Sequence, residues 1–576
     1  MSTATNRAAA GTADYLDQRT GIGLVVKGFA RKVFPDHWSF MLGEIALYSF
    51  VVLLITGVFL TMFFVPSVGL TTYEGPLASM DGVEMSEAFA STLHLSFEVT
   101  GGLLMRQIHH WAALLFMAAI VTHMMRVFFT GAFRKPREMN WLVGFFMMLL
   151  GLAAGLTGYS LPDDVLSGNG LRITDGVARS IPIVGSYASY FIFGGEFPGE
   201  AVIPRFYVLH ILLIPALILA LIGLHLFFVV LHKHTHYGLP GHTQRNVVGY
   251  PFFPIYLAKA GGFFFIVFGV LALMGATMTI NPVWNYGPYD PSLVSAGAQP
   301  DWYMLFLEGA LRLMPGYGME WVIAGFTIPM NVLVPAVVLP GLLFTLLALY
   351  PFVEAWVSGD KREHHIADRP RDAPVRTAFG VAILTAFGVL LLAGANDIIA
   401  THFSMSINDI TNVFRALLIL APFLAFWVTK RICLGLQRKD RELVLHGHET
   451  GRIVRFASGE YIEVHRPLDE YERWIRVAHE PSRPVPLLPA EDERGVRRKG
   501  YRRDALRHRL SRFFYEDRVE PVTPAELAEA QAHAAHAGAL EGHDDAPPAL
   551  PDDDVRAAEI GTGPDAAGEP VDARER

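Results

Sequence analysis

The sequence predicts an all-α, polytopic transmembrane protein of eight spans, with a four-helix bundle (spans A–D) followed by four further spans (E–H). Three observations predict it. Of the 576 residues, 52% are hydrophobic and 18% charged, too apolar for a soluble domain of this length. Eight apolar runs are long enough to cross a ~30 Å hydrocarbon core, which takes about 20 helical residues. Histidine recurs on two of those spans at intervals of 14 and 15 residues, a spacing that keeps side chains on one face of a helix.

The runs lie near residues 45–65, 111–129, 141–161, 206–231, 261–280, 322–350, 377–395 and 413–434. Residues 1–35 form a polar arm, and the first run is long enough to be a true span rather than a cleaved signal. Lys27, Arg31 and Lys32 in the arm suit an anionic lipid surface or plain positive-inside bias. Residues 36–235 hold the bundle and 236–435 the four-span region. The A–B loop carries Glu74, Asp81, Glu84 and Glu87 with no base before Arg106. Arg126, Arg134, Lys135 and Arg137 follow span B, Lys233, Arg245 and Lys259 follow span D, and Lys361, Arg362, Arg369 and Arg371 follow span F. Basic residues resist translocation, so these loops and both termini are expected in the cytoplasm, with the protein in the plasma membrane.

Residues 436–519 read as a cytoplasmic extension. It opens with a hairpin, Arg452 to Phe456 and Tyr461 to Val464 around Ser458-Gly459, and continues into a basic stretch, Arg494 to Arg512, suited to membrane lipid. Residues 520–576 are rich in Ala, Pro, Asp and Glu, include Asp552-Asp553-Asp554, and are predicted to be a disordered acidic tail. The net charge of −8 comes largely from this tail and does not point to nucleic acid. The single Cys433 excludes a disulfide framework, a Cys-based zinc or iron–sulfur site and covalent C-x-x-C-H haem attachment.

Histidine in a membrane span is costly, although a lone one more often hydrogen-bonds a neighbouring helix than binds a ligand. Here there are two pairs. His109 and His123 lie on span B, His210 and His225 on span D. Fourteen steps fall ~40° short of four turns and fifteen overshoot by ~60°, and the rise puts the members of a pair ~21 Å apart. Antiparallel spans B and D then set His109 level with His210, and His123 level with His225. Paired imidazoles suit an iron porphyrin ligated on both faces, which transfers electrons and leaves no open position for oxygen. Glycine repeats the period, Gly43 and Gly57 on span A and Gly144 and Gly158 on span C. Small residues let a flat macrocycle approach a helix, although either pair alone would be ordinary membrane packing. Arg106, Arg126 and Arg205 lie where guanidinium could pair with haem propionates or snorkel to the interface. His110 has no partner at the repeat and reads as a neighbour.

With these residues the sequence resembles the cytochrome b family of cytochrome bc complexes over roughly residues 36–435. The likeness rests on Arg106-Gln107-Ile108-His109, His123-Met124-Met125-Arg126, Arg205 through His210, Gly158-Tyr159-Ser160-Leu161-Pro162, Ile181-Pro182 and Pro300-Asp301-Trp302-Tyr303. The asparto form of the last motif and the long tail look actinobacterial. The resemblance implies two non-covalent b-type haems, the outer held by His109 and His210 and the inner by His123 and His225. It implies an outer quinol site with Tyr159, Gly170, Pro300, Asp301, Trp302 and Tyr303, where Asp301 takes a quinol proton and Tyr159 and Tyr303 assist. One quinol electron would pass to a Rieske iron–sulfur protein and the other through the haems to quinone at an inner site, coupled to proton translocation. The implied quinone is menaquinone, and the implied partners are the Rieske protein, a cytochrome c subunit, a terminal cytochrome c oxidase and a second copy in a homodimer.

Two departures stand out. The family's Trp-Gly after Pro162 is replaced by Asp163-Asp164, which could assist proton exit but is more often plain solvated charge. The family's inner-site aspartate aligns with Ala260, beside a retained Lys259. Inner-site protons are then expected through Lys259 and the cluster His232, His234 and His236, whose near-neutral pKa suits relay; a hydrated surface cluster is the bland alternative. Two other readings stay open on the residues alone. One is a smaller two-haem membrane anchor of a dehydrogenase, the other a transporter with buried histidines and Gly-broken helices.

Overall fold

Eight helices long and apolar enough to cross a membrane run through a computed structural model of the chain, which describes residues 2–292, 299–316, 318–323, 325–455, 458–477 and 482–541. They are α1 (Trp38–Thr61), α2 (Gly102–Phe129), α3 (Glu138–Tyr159), α4 (Val202–His232), α5 (Phe252–Thr277), α6 (Met330–Ser358), α7 (Pro374–Gly394) and α8 (Ile407–His446), in the order of spans A to H. Among the described residues, strands occur only as two-stranded pairs.

Two ends differ from hydropathy for physical reasons. Helix α2 starts nine residues before the apolar run, because its polar first turns are satisfied by the chain that follows α5. Gln107 donates from Nε2 to the Ile280 carbonyl at 3.0 Å and accepts from the Ile280 N–H at 2.6 Å, while Trp111 Nε1 donates to the Met278 carbonyl at 2.8 Å. At the start of span F, the apolar stretch 320–329 is an antiparallel hairpin, Glu320–Ile323 with Phe326–Pro329. Its β-branched residues and Gly325, at φ +81°, favour a tight turn, and the span begins only at Met330.

Helix α4 is not a uniform α-helix. Residues Leu209–Leu213 are π-helical, and the Ile214 N–H bonds the Leu209 carbonyl five residues back. Pro215 follows at the first positions of the next segment; its missing N–H and ring make the ordinary i→i−4 bond impossible, a recognised cause of such bulges. A π-bulge absorbs one extra residue, which accounts for the 15-residue spacing of His210 and His225 against 14 on α2.

By packing, the chain divides into one unit of Met1–Arg438 with Ala478–Val519 and a second of Lys439–Val477 with Glu520–Arg576. In the first unit, Phe50, Phe116, Phe145, Met148 and Ile218 form a buried cluster among α1 to α4. Residue 235 is no boundary, because Val267 and Leu271 of α5 are buried with Val52, Ile108 and Ala112 of α1 and α2. The basic stretch is a helix, Tyr501–Tyr515, that belongs with the spans rather than with a separate extension: Arg507 Nε donates to the Trp356 carbonyl of α6 at 2.6 Å and Phe514 stacks on Phe379 of α7.

The second unit contains the expected hairpin, His448–Arg455 with Tyr461–Arg466; Phe456 lies outside the described residues. Where disorder is expected from residue 520, Pro524–Glu541 is a helix. Thr523 and Glu526 cap it reciprocally, the Glu526 N–H to Thr523 Oγ1 at 3.2 Å and the Thr523 N–H to Glu526 Oε2 at 2.8 Å, and the Ala-rich run that follows has high helix propensity. The remainder of the predicted tail, 542–576 with Asp552 to Asp554, lies outside the described residues.

Candidate functional site

Helices α2 and α4 bring the four histidines together as two facing pairs. The His109 and His210 rings have centroids 6.1 Å apart at 69°, and His123 and His225 6.3 Å apart at 71°. Two imidazoles bonded to one metal at roughly 2.0–2.1 Å place their ring centroids roughly 6.4 Å apart when the nitrogens face each other. Both pairs therefore have the spacing of a bis-imidazole metal group.

At the first pair the protonation pattern follows from the hydrogen bonds. His210 Nδ1 lies 3.0 Å from the Ala154 carbonyl, which can only accept, so Nδ1 carries the proton and Nε2 a free lone pair. The Thr56 hydroxyl gives its one proton to the Val52 carbonyl at 2.7 Å; it must then accept from His109 Nδ1 at 2.9 Å. Both rings are set to coordinate through Nε2, the usual arrangement of metal-bound imidazole oriented by an outer partner. At the second pair, Nδ1 of His123 is buried without a hydrogen-bond partner among the described residues.

The four glycines face these same rings. A Cβ on Gly43 would stand 3.1 Å from His123 Cε1, on Gly57 3.3 Å from His109 Cε1 and on Gly144 4.0 Å from His225 Cε1, while on Gly158 it would overlap His210 Cε1. Glycine thus makes room for the imidazole ring in each helix pair, α1 with α2 and α3 with α4, which is a narrower job than admitting a macrocycle. The two halves also echo one another: Thr56-Gly57 precedes His109 and Thr157-Gly158 precedes His210 by the same intervals, with Thr157 Oγ1 3.4 Å from His210 Nδ1. The hydroxyl carries no helix-period signal, so the sequence reading missed this repeat.

Of the three arginines, two stand at the pairs. Arg106 is buried, gives Nη2 to the Asn281 carbonyl at 2.7 Å and leaves Nη1 without a hydrogen-bond partner among the described residues. Arg126 lies over the Phe40 ring with its buried Nε also unpartnered. Guanidinium N–H groups left bare beside a histidine pair suit the acidic groups of a porphyrin. Arg205 does not join them. It binds the Phe191 and Ile192 carbonyls at the end of the helix Gly185–Phe193, where freed carbonyls attract a cation. A partly open pocket is lined by His123, His225, Gly144, Arg126, Arg137 and His234.

Beyond the His109 end, the segment Pro300 to Tyr303 packs on α3, with the Tyr303 ring against Gly155. Asp301 is held from both sides, by His110 Nε2 at 2.9 Å on Oδ1 and the Tyr303 hydroxyl at 2.8 Å on Oδ2. Tyr159 donates to the Gln299 carbonyl at 3.1 Å, so it borders the same segment. Trp302 stands edge-on to Tyr303, and the space where a Gly170 Cβ would sit is open. Burial pushes the Tyr303 hydroxyl pKa well up, with the Asp301 charge adding to it. Asp163-Asp164 is not solvated charge. Asp164 is fully buried and caps the helix Val165–Arg179 in a reciprocal box with Ser167, and burial raises the pKa of both carboxyls.

At the opposite end the expected relay looks different. Lys259 is half exposed and paired with Asp36, and His232 stacks on Phe228. His234 bonds the Thr235 carbonyl through Nδ1, packs edge-on against Phe40, and is pulled down to about 3 by burial and by Arg126. His236 is 1% exposed and is likewise lowered, chiefly by burial. These two are buried neutral rings, not a hydrated near-neutral cluster, because the turn after α4 folds them under Arg126 and Arg137.

Comparison with known proteins agrees with this architecture. Residues 114–288 match the family model described as Cytochrome b(N-terminal)/b6/petB. The chain is 54% identical over 534 residues to the cytochrome bc1 complex cytochrome b subunit of Streptomyces coelicolor, covering 91% of this chain and 97% of that protein. It is 50% identical over 476 residues to that of Mycobacterium tuberculosis (82% and 85%) and 49% over 472 residues to that of Corynebacterium diphtheriae (82% and 85%). Its structure is similar to a chain of a solved hyperthermophilic respiratory Complex III, with TM-score 0.54 and 22% identity over 73% of this chain and 99% of that one, a likeness of fold. On these relatives, the chain belongs to the family of cytochrome b subunits of cytochrome bc1 complexes.

Proposed function

We propose that the chain is the membrane subunit of a respiratory quinol–cytochrome c reductase that oxidises quinol at the Asp301 end and reduces quinone at the other. The observation that carries this reading is the stack of two histidine pairs on the same two helices, each with the spacing of a bis-imidazole metal group. His109 with His210, and His123 with His225, would hold two non-covalent b haems, with Arg106 and Arg126 beside their acidic groups. When bound, the haems carry electrons singly through the low-dielectric span between the two quinone sites.

This chain's own residues supply the proton chemistry. Asp301 accepts a proton from the quinol hydroxyl, oriented by His110 and Tyr303. Tyr159 and Trp302 wall the site, and Pro300 and Gly170 shape its backbone. The excess of Lys and Arg in the loops after α2, α4 and α6 supports a cytoplasmic position for the His123 end and both termini, across a plasma membrane. Quinol oxidation then releases protons outside while quinone reduction takes them up inside, and an electron crossing inward works against about 2.3 kcal/mol per 100 mV. Menaquinol is the proposed substrate. The proposed partners are a Rieske iron–sulfur protein, a cytochrome c subunit, a terminal cytochrome c oxidase and a second copy of the chain.

The test is the haem content of the purified complex. Two b haems per chain are expected, falling to one in His109→Ala or His210→Ala. Two haems retained with unchanged spectra in both variants would refute the pairing of α2 with α4.

A further inference from the structure

We propose that Glu44 is the residue that gives protons to quinone at the His123 end. This rests on the quinone-reducing site proposed above.

Glu44 is the first carboxyl inside α1, and a carboxyl in a spanning segment is expensive enough to be a functional hypothesis. Its position is informative. The residue before it, Gly43, lies against the His123 ring, so Glu44 stands at the level where the inner pair would receive electrons. Both carboxyl oxygens are engaged by hydroxyls, Oε2 by Tyr48 one turn on at 3.2 Å and Oε1 by Tyr256 of α5.

Lys259 stands three residues after Tyr256 on α5, which is the same helix face, and pairs with Asp36, each about half exposed (52% and 50%). Two polar links, Asp36–Lys259 and Glu44–Tyr256, therefore join the start of α1 to the start of α5. Lys259 also lies over the Tyr250 ring. Ala260, beside Lys259, offers no carboxyl, and His234 and His236 are turned to backbone carbonyls.

A purely structural staple between α1 and α5 is the competing explanation. A staple needs one donor and one acceptor, and an apolar contact would serve at lower cost in a membrane. Two tyrosine hydroxyls on one carboxyl, with an ion pair between the same two segments, give that carboxyl proton-exchanging neighbours that a staple does not need.

The balance is simple. Quinone takes two electrons, derived from quinol oxidised at the other site, and two protons, and leaves as quinol. Glu44 gives a proton to a quinone oxygen and regains one from the cytoplasmic side through the Tyr256 hydroxyl that joins it to the start of α5.

The experiment uses the intact complex with Glu44→Gln, Glu44→Asp and Tyr256→Phe. After quinol reduces the inner pair's haem, its reoxidation by added menaquinone is followed optically, and the redox-induced infrared difference is recorded in the carboxyl region. Expected for Glu44→Gln are normal haem content, reoxidation slowed about tenfold or more, and loss of a carboxyl band; Glu44→Asp restores much of the rate, which a broken staple would not predict. Tyr256→Phe also slows reoxidation and serves if Glu44→Gln fails to assemble. Wild-type reoxidation rates in Glu44→Gln, or in Tyr256→Phe should the former not assemble, overturn the proposal. If menaquinone fails to reoxidise the haem even in the wild type, the site itself is misassigned, a distinct result.

Discussion

His110 Nε2 stands 2.9 Å from Asp301 Oδ1, joining the first turns of α2 to a segment 191 residues later in the chain. With the Tyr303 hydroxyl on Oδ2, it fixes the carboxylate in one orientation while leaving further lone pairs to receive a proton. His110 sits next to His109, so the helix that carries one of the paired imidazoles also aims the carboxylate.

Asp301→Asn keeps size and hydrogen bonding but removes basicity. Quinol oxidation should fall by roughly 10²–10⁴, mostly in kcat. His110→Phe leaves the carboxyl in place and frees its orientation, so the loss should be smaller, up to roughly 10². Steady-state quinol oxidation with haem content as the control checks both, and an Asp301→Asn enzyme with unimpaired turnover would remove the residue from the proton path.

The four glycines give a graded prediction. An alanine at Gly158 would overlap the His210 ring, whereas one at Gly144 meets His225 Cε1 at 4.0 Å, ordinary contact. Gly158→Ala should cost about 1–3 kcal/mol of overpacking and lower haem content at that pair, while Gly144→Ala should be nearly silent. Haem per chain and the reduced spectrum measure the difference, and equal effects would mean that ring clearance is not what the glycines provide.

Thr56→Val tests the outer partner of His109. The hydroxyl that receives Nδ1–H is lost while shape is kept, leaving a buried donor unpaired. Outer-partner losses of this kind weaken metal binding roughly 10–100-fold, so haem should be lost more readily from the His109–His210 pair and its midpoint potential should shift. The His123–His225 pair should be untouched, and equal loss at both pairs would contradict the assignment.

The spans and histidine pairs were legible because they depend on local composition and helical period alone. The bulge at Leu209–Leu213, which reconciles the unequal spacings of the two pairs, emerged only in the structure, beside Pro215. What was not legible depends on contacts between distant segments. His110 looked unpartnered because its partner lies in the Pro-Asp-Trp-Tyr segment, Arg205 sat close to His210 in sequence yet serves the end of another helix, and the hairpin before α6 was hidden by apolar residues that hydropathy counts as span. Asp163-Asp164 read as surface charge because nothing local shows that Asp164 is a buried helix cap. The helix at Pro524–Glu541 was missed for a different reason: alanine lowers complexity and raises helix propensity at once, and only the Thr523–Glu526 cap distinguishes the outcomes.

That helix sharpens a prediction about the C-terminus. Glu526 pairs with Arg441 at 2.6 Å within the second unit, and the Arg441 guanidinium, with the Thr523 cap, holds the Glu526 carboxyl down to about 2. The pair is exposed and so contributes little by itself, but a stop after 519 would also remove the helix it anchors. The histidine pairs, Asp301 and Glu44 all belong to the other unit. A stop after 541 removes an acidic, Pro- and Ala-rich segment with too few apolar residues to build a core, and should leave haem content, quinol oxidation and melting unchanged. A stop after 519 should loosen the hairpin His448–Arg466, seen as faster proteolysis between 439 and 477, with both haems retained. Haem loss on deleting only 542–576 would show that this segment takes part in assembling the electron-transfer core, against everything its composition implies.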